Sequence, residues 1–429
     1  MKTPLEEQAQ VLGERGLTRF FRQMMDEKPD VLMKNVTVEA IRPGRWIRVE
    51  GRWVQNFGSD SFLGLDQHPR VREALVRGVQ QWGTHNGTSR AFSSVAANVE
   101  AERRLAVWLG TEAAVMYPSV SLANMGALPA LVTRHDVIVA DQYAHNSIEE
   151  GMRLAKARGV RCAKFAHNDP QDLERTLRAL RPYRRALIAL DGVYSMSGQL
   201  PPLRQFQHLA SLHDGFLYVD DAHGTGVIGE QGRGTVWETL GHYENVVVIG
   251  SLSKALSCLG GFAAASRKVI EVLQLRSQPL IFGGPVPPPY LTALLTVLDI
   301  LMSAEYGQLR AALDANVRRF VEGTRRLGLV LLGGCVPIVS VLVGSEDTTL
   351  QAGRFLFERG YYVQSVVFPA VPHGAGVLRV QINANHTAEA IDGLTEALSA
   401  LKRTFPLPEA EAHALACTPP RLPTEAIPA

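Results

Sequence analysis

The sequence predicts an α/β fold: a mostly parallel, doubly wound sheet with helices on both faces, followed by a smaller α+β domain. Three observations carry that expectation. From about residue 100, short apolar runs at 113–117, 137–140, 186–190, 216–219 and 246–249 alternate with helix-length periodic segments. The runs are apolar at successive positions, as strands buried on both faces require, and parallel strands need crossover helices between them. Past the proline cluster Pro285-Val-Pro-Pro-Pro289 the alternation stops and long helical periods take over.

Taken in order, residues 1–58 read as an N-terminal arm and hairpin. Leu17, Phe20, Phe21 and Met24 fall near helical spacing, and 46–50 and 53–57 alternate around Gly51 as a short hairpin would. Residues 59–286 form the large domain that holds the five runs. The small domain, 287–405, is expected to contain helices at 290–302 and 309–326, strands near 338–343, 362–367 and 378–382, and a last helix over 388–403. Residues 406–429, rich in Pro, Ala and Glu without a period, read as a flexible tail.

Apolar residues make up 46% of the 429 and charged ones 20%, enough to bury a large core, which excludes intrinsic disorder. The net charge of +2 offers no basic field for nucleic acid or an anionic membrane. No apolar stretch reaches the ~18 residues of a membrane span, and the first residues lack the apolar core of a secretory signal. Cys162, Cys258, Cys335 and Cys417 are too far apart for a zinc knuckle and read as free thiols of a reducing, cytoplasmic compartment. The expectation is a cytoplasmic enzyme.

Ligands of open α/β sheets bind beyond the carboxyl ends of the strands. There the sequence delivers Asp141 to His145, Asp191 to Gly198, Asp220 to Gly226, and Gly250 to Ala255: carboxylate, imidazole, hydroxyl and amine along one edge. Gly224-Thr-Gly-Val-Ile-Gly229 matches the dinucleotide pattern, but Gly232 and Gly234 follow at once and would break the helix that such a site must open. It is read as a decoy.

Lys254, flanked by glycines past a buried strand, is placed to form a Schiff base with an aldehyde cofactor. Pyridoxal 5'-phosphate also needs a carboxylate for its ring nitrogen, for which Asp220 fits. His223, on the same turn, reaches toward the phenolic oxygen, and His145 is the candidate to cover the ring. Each residue alone has a bland reading as a cap, a core group or a surface lysine. Their joint occurrence at successive strand ends does not. Asp220 and Asp221 lack a third ligand at metal spacing.

The chain resembles the α-oxoamine synthases. The resemblance rests on Phe62-Leu-Gly-Leu65, Leu105-Ala-Val-Trp-Leu-Gly110, His145-Asn-Ser147, Asp191-Gly-Val-Tyr-Ser-Met-Ser-Gly198, Val219-Asp-Asp-Ala-His-Gly-Thr-Gly-Val-Ile-Gly229, Ser251-Leu-Ser-Lys-Ala255 and Leu378-Arg-Val380. It implies a fold-type I transferase with a seven-stranded-type sheet, acting as a homodimer with a shared active site. The implied reaction is a decarboxylative condensation of an amino acid with an acyl thioester, giving an α-amino ketone, CO2 and free thiol. Lys254 would hold the cofactor and shuttle the Cα proton, Asp220 would pair with the ring nitrogen, and His145 would stack on the ring. His223 and Ser195 would approach the phenolic oxygen, Ser251 the phosphate, and Arg379 the substrate carboxylate.

Three departures from the family pattern stand out. Ser119-Val120-Ser121 replaces Ser-Gly-Phe/Tyr in the first cofactor loop, where backbone amides at a helix start hold phosphate. Gly283-Gly284 replaces the Ser-Thr that the partner subunit offers to the phosphate. Asp60, followed by Ser61, replaces an asparagine that approaches the substrate carboxylate; Asp60 either faces that carboxylate or is a turn residue. These changes point to a specialised member with an unusual amino acid or an acyl carrier protein as thioester donor. Two alternatives remain open. An aminotransferase or aldolase of the same fold would share Lys254 and Asp220 but not need a thioester. A non-catalytic scaffold subunit would be expected to lack the lysine.

Overall fold

A computed structural model describes residues 2–27, 31, 33, 35–334 and 336–410. Cys335, Cys417 and the part of the expected tail at 411–429 lie outside the described residues. Among the described residues the strands form three sheets. The largest has seven strands, in the order Ala113–Tyr117, Gly261–Ala265, Val246–Ser251, Gly215–Asp220, Ala186–Asp191, Val137–Asp141 and Arg161–Phe165. Gly261–Ala265 runs antiparallel to both neighbours; the other pairings are parallel.

The alternation of side chains across the pleat feeds two cores. On one face Ile138, Ala140, Leu187, Ala189, Tyr218, Val247 and Ile249 pack against helices that include Val120–Leu131 and Asn146–Lys156. On the other, Val137, Val139, Ile188, Leu190, Leu217, Val219 and Val248 meet Pro170–Ala179 and Leu203–Leu212. Burial on both faces explains why these strands read as unbroken apolar runs. All five expected strands are present, and Arg161–Phe165 and Gly261–Ala265 are additional.

The hairpin forms as expected, with Trp46–Val49 antiparallel to Arg52–Asn56. It is extended on one side by Ala40–Arg42 and on the other by Tyr361–Tyr362, which pairs parallel to Arg52–Asn56. The strand expected at 362–367 is therefore split. Its second piece, Gln364–Val366, joins a separate antiparallel sheet with Gly376–Gln381, Ile338–Gly344 and Leu331–Gly333. The segment after the hairpin runs beside Gly376–Gln381, where the Gln381 amide donates to the Phe57 carbonyl at 2.8 Å. Among the described residues no helix is long and apolar enough to cross a membrane.

Candidate active site

A cavity of about 190 Å³ opens at the carboxyl ends of the central strands. It is lined by Ser119, Val120, Ser121, His145, Asp191, Val193, Asp220, His223, Ser251, Ser253 and Lys254. Most of the sequence-derived site is thus brought to one place by the sheet.

Asp220 ends its strand, buried, and its position is set by a network (4% exposed). Asn124 Nδ2 donates to Asp220 Oδ2 at 2.6 Å and to Ser147 Oγ at 2.8 Å, while Asn124 Oδ1 accepts from the Tyr218 hydroxyl at 2.8 Å. Ser147 Oγ is in turn 2.7 Å from His145 Nδ1. The chain Tyr218–Asn124–Ser147–His145 holds carboxylate and imidazole on one scaffold. Sequence reasoning missed Asn124, although a fully buried asparagine inside the apolar helix Val120–Leu131 is a signal, since such a group must be hydrogen-bonded.

His145 caps the helix Asn146–Lys156, and its backbone N–H donates to Asp191 Oδ1 at 3.0 Å. Burial holds its imidazole below the ordinary value, against the opposing charge of Asp220. Burial and the Asp220 charge push the Asp191 carboxyl well up. Lys254 is lowered, first by burial and then by Arg379, with Asp220 and Asp60 opposing. A lysine so placed is more readily a free base, as carbonyl chemistry requires. His223 lies well below its ordinary range because it is buried beside Lys254 and Arg379. Its Nδ1 has no hydrogen-bond partner among the described residues and stands 3.9 Å from Asp60 Oδ1.

Ser119 caps the helix Val120–Leu131, its Oγ accepting from the Leu122 amide at 3.2 Å, so that helix start faces the cavity. Ser251 Oγ accepts from the Ser253 amide at 3.2 Å, and Ser253 lines the cavity with it.

Six assignments, Ser195, Gly283, Gly284, Ser61, Asp60 and Arg379, lie outside the cavity lining. The Ser195 carbonyl accepts from Arg379 Nε at 2.6 Å, and Ser195 is not part of the cavity lining. Gly283 ends the short helix Gln278–Phe282, and neither it nor Gly284 lines the cavity within one chain. Ser61 Oγ bonds Asp66 Oδ1 at 2.6 Å and Ser257 Oγ at 2.5 Å. Asp60 is partly exposed and is tied to the strand Gly376–Gln381 rather than standing alone in a turn. Its Oδ1 accepts from Arg379 Nη2 at 3.1 Å and from Gln381 Nε2. The guanidinium expected to bind substrate already carries an internal carboxylate.

The glycine run after Asp220 has its own explanation. Asp221 is fully buried and accepts from the Thr235 amide and hydroxyl, both at 2.7 Å. A Cβ on Gly224 would stand 2.0 Å from Asp221 Oδ1, and one on Gly234 2.1 Å from Oδ2. The glycines make room for a buried carboxylate, whose pKa burial raises to about 7. Gly234 caps the short helix Thr235–Leu240, whose first amide donates to Asp221.

Comparison with known proteins places this architecture. The family "aminotransferase class I and II" matches residues 53–398. The 8-amino-7-oxononanoate synthase of Coprothermobacter proteolyticus is 36% identical over 89% of this chain and 96% of its own. This chain belongs to the α-oxoamine synthases. A second relative, the 8-amino-7-oxononanoate synthase of Geobacter sulfurreducens, is 37% identical over 86% of this chain and 94% of its own. Among solved structures, a serine palmitoyltransferase from S. paucimobilis with PLP bound superposes with a TM-score of 0.84 at 26% identity, covering 91% of this chain and 99% of its own. The α-oxoamine synthase described here is therefore a pyridoxal phosphate-dependent acyltransferase of fold type I.

Proposed function

We propose that this synthase condenses an amino acid with an acyl thioester of coenzyme A or a carrier protein, releasing CO2 and free thiol and leaving an α-amino ketone. The observation that carries this reading is the convergence of Lys254, Asp220, His145 and His223 on one cavity beside a helix start. These residues fit pyridoxal phosphate. A buried carboxylate held by Asn124 suits the ring nitrogen, an amine made less basic by burial suits the aldehyde, and a helix start with hydroxyls on the facing turn suits the phosphate. When bound, the cofactor supplies a sink for the charge that develops at the amino acid's Cα.

The chain's own residues do the rest. Lys254 takes a proton from Cα and returns one later, which its lowered basicity favours. Asp220 keeps the ring nitrogen protonated. His145 covers one face of the ring, fixed through its Nδ1 by Ser147. Arg379 anchors the substrate carboxylate, its plane set by Nε to the Ser195 carbonyl and by Nη1 to Gln364 Oε1 at 2.8 Å. Ser119, Val120, Ser121 and Ser251 would hold the phosphate, and His223 would serve the phenolic oxygen.

We read the enzyme as a cytoplasmic homodimer whose partner brings Gly283 and Gly284 to the phosphate. Phe92 and Phe282 are 87% and 76% exposed in one chain, which supports a covering partner. Residues 59–286 serve as the cofactor-binding unit and 287–405 as the smaller one. Mass analysis of products from a panel of amino acids and acyl thioesters tests the reaction. Thiol release and CO2 in step with an α-amino ketone are expected; turnover that needs a keto acid and no thioester would replace it with transamination.

A further inference from the structure

Beside His223, just outside the cavity lining, stands a charge pair that the reaction itself does not call for. Arg379 is nearly inaccessible, and its Nε and Nη1 are fixed by the Ser195 carbonyl and Gln364, neither of which depends on Asp60. The Asp60 side chain is 32% exposed and sits on the remaining Nη2 edge at 3.1 Å, its Oδ1 also accepting from Gln381. One member of the pair is buried and held on two further sides, and the other is partly exposed. A second carboxylate arriving at the same guanidinium meets the negative charge of Asp60 within a few ångströms, in a half-buried setting where such repulsion is only partly screened. A substrate carboxylate and Asp60 therefore compete for Arg379.

Asp60 has somewhere to go. His223 Nδ1, buried and without a hydrogen-bond partner among the described residues, lies 3.9 Å from Asp60 Oδ1. A shift of about one ångström brings that pair to hydrogen-bond distance. We propose that Asp60 is an internal occupant of the substrate-carboxylate site, displaced from Arg379 by the amino acid's carboxylate and handed over to His223. The amino acid would thereby set the hydrogen bonding of an imidazole that lines the cofactor cavity. The inference rests on the reading of Arg379 as the carboxylate anchor.

The test is a cycle between Asp60 and the ligand's carboxylate, read by calorimetric binding to the holoenzyme. Glycine, alanine and serine are compared with methylamine, ethylamine and ethanolamine, which lack only the carboxylate. Asp60→Asn is nearly isosteric and removes the competing charge, so the amino acids should bind about tenfold tighter, while the amines change less than about twofold. An equal change for both ligand sets, or weaker amino acid binding, would overturn the competition. The hand-over is read in kcat at saturating substrates. Asp60→Ala leaves His223 Nδ1 unpaired and should lower kcat about tenfold while amino acid binding still tightens. An unchanged kcat would overturn that half. Product analysis of the same samples separates the two readings: condensation with no cycle coupling sinks the inference alone, whereas coupling without condensation product sinks the proposed reaction.

Discussion

Asp220 and Lys254 stand at and just beyond the ends of adjacent parallel strands, whereas Asp60 and Arg379 meet across 319 positions of chain. The cofactor side of the cavity is a product of regular structure: strand, polar end, helix, repeated, so that each end delivers its group to the same edge. The substrate side is assembled from the segment after the hairpin, the strand Gly376–Gln381 and the edge strand Gln364–Val366. Groups delivered by a repeating architecture are hard to move without losing the sheet. Groups brought together across sheets depend on a few hydrogen bonds. Variation in substrate is expected on that side, and constancy of chemistry on the other.

The largest effect is expected on the cofactor side. Lys254→Ala removes both the attachment point and the base, and turnover should fall by at least about 10³-fold. Borohydride reduction followed by mass analysis of the peptides checks this directly: wild type gains a cofactor-bearing peptide containing Lys254, and the variant none. A variant with near wild-type turnover would mean that the strand ends do not carry the chemistry. Asp220→Asn keeps the shape and the Asn124 contact region but removes the charge that opposes the ring nitrogen, and turnover should fall by about 10²-fold or more. Because Asp191 is pushed up partly by the Asp220 charge, the same change relieves repulsion, and the melting temperature should not fall. Loss of stability in step with activity would make Asp220 structural.

The same contrast explains what the sequence disclosed. Runs such as Ala186–Asp191 are apolar at every position because both faces are covered, so strand and polar end are visible together. Arg161–Phe165 was hidden because it is an edge strand whose apolar run is broken by the exposed Arg161 and Lys164, and Gly261–Ala265 because its alanines and glycine carry little strand preference. Lys254, Asp220, His145 and His223 were legible as a set because each stands at or just past the carboxyl end of a parallel strand. Asn124 and Asp221 were not, since their roles lie in hydrogen bonds between elements. The Asp60–Arg379 pair was out of reach altogether. Each residue could be singled out, but only the packing of the 57–62 segment against Gly376–Gln381 reveals that they neutralise one another.

Asn124 tests whether the cofactor side tolerates loss of a group that never touches the reaction. Asn124→Leu has similar volume but leaves the Tyr218 hydroxyl without its acceptor and takes one donor from Asp220 Oδ2. An orphaned buried polar group costs about 1–3 kcal/mol, so the unfolding free energy read from urea titration should drop by about that much. Turnover should fall about tenfold through a misplaced Asp220 rather than a missing one. If cofactor affinity, stability and turnover all stay at wild-type values, the Tyr218–Asn124–Ser147–His145 chain is not what positions the carboxylate.

The smallest effect on turnover, and the one that sharpens the contrast most, is expected at His386, which supports the substrate side. Its Nδ1 accepts from the Asn383 amide at 3.0 Å, so the ring is neutral with its proton on Nε2, which donates to the Asn56 carbonyl at 3.0 Å. Asn383 in turn donates to the Ser59 carbonyl at 2.9 Å, next to Asp60. Burial lowers the His386 pKa from 6.5 to about 3. The unfolded chain therefore takes up a proton below about pH 6.5 that the folded one refuses, and stability falls as the pH drops from there toward about 3. The loss attributable to this residue is on the order of 4 kcal/mol across that window, shared about equally between its upper and lower halves. His386→Gln keeps a donor and an acceptor on a side chain that does not titrate. It should cost about 1–2 kcal/mol at pH 7.5, where the better fit of the ring is lost, and lose less than wild type on going to pH 4.5. Urea unfolding at the two pH values reads both. At pH 7.5 the amino acid KM should rise a few-fold as the Ser59–Asp60 segment loosens, with cofactor affinity and kcat nearly unchanged. Parallel pH slopes in the two proteins would show that the buried imidazole is not the acid-sensitive point. A fall in cofactor affinity would show that the two sides of the cavity are mechanically one.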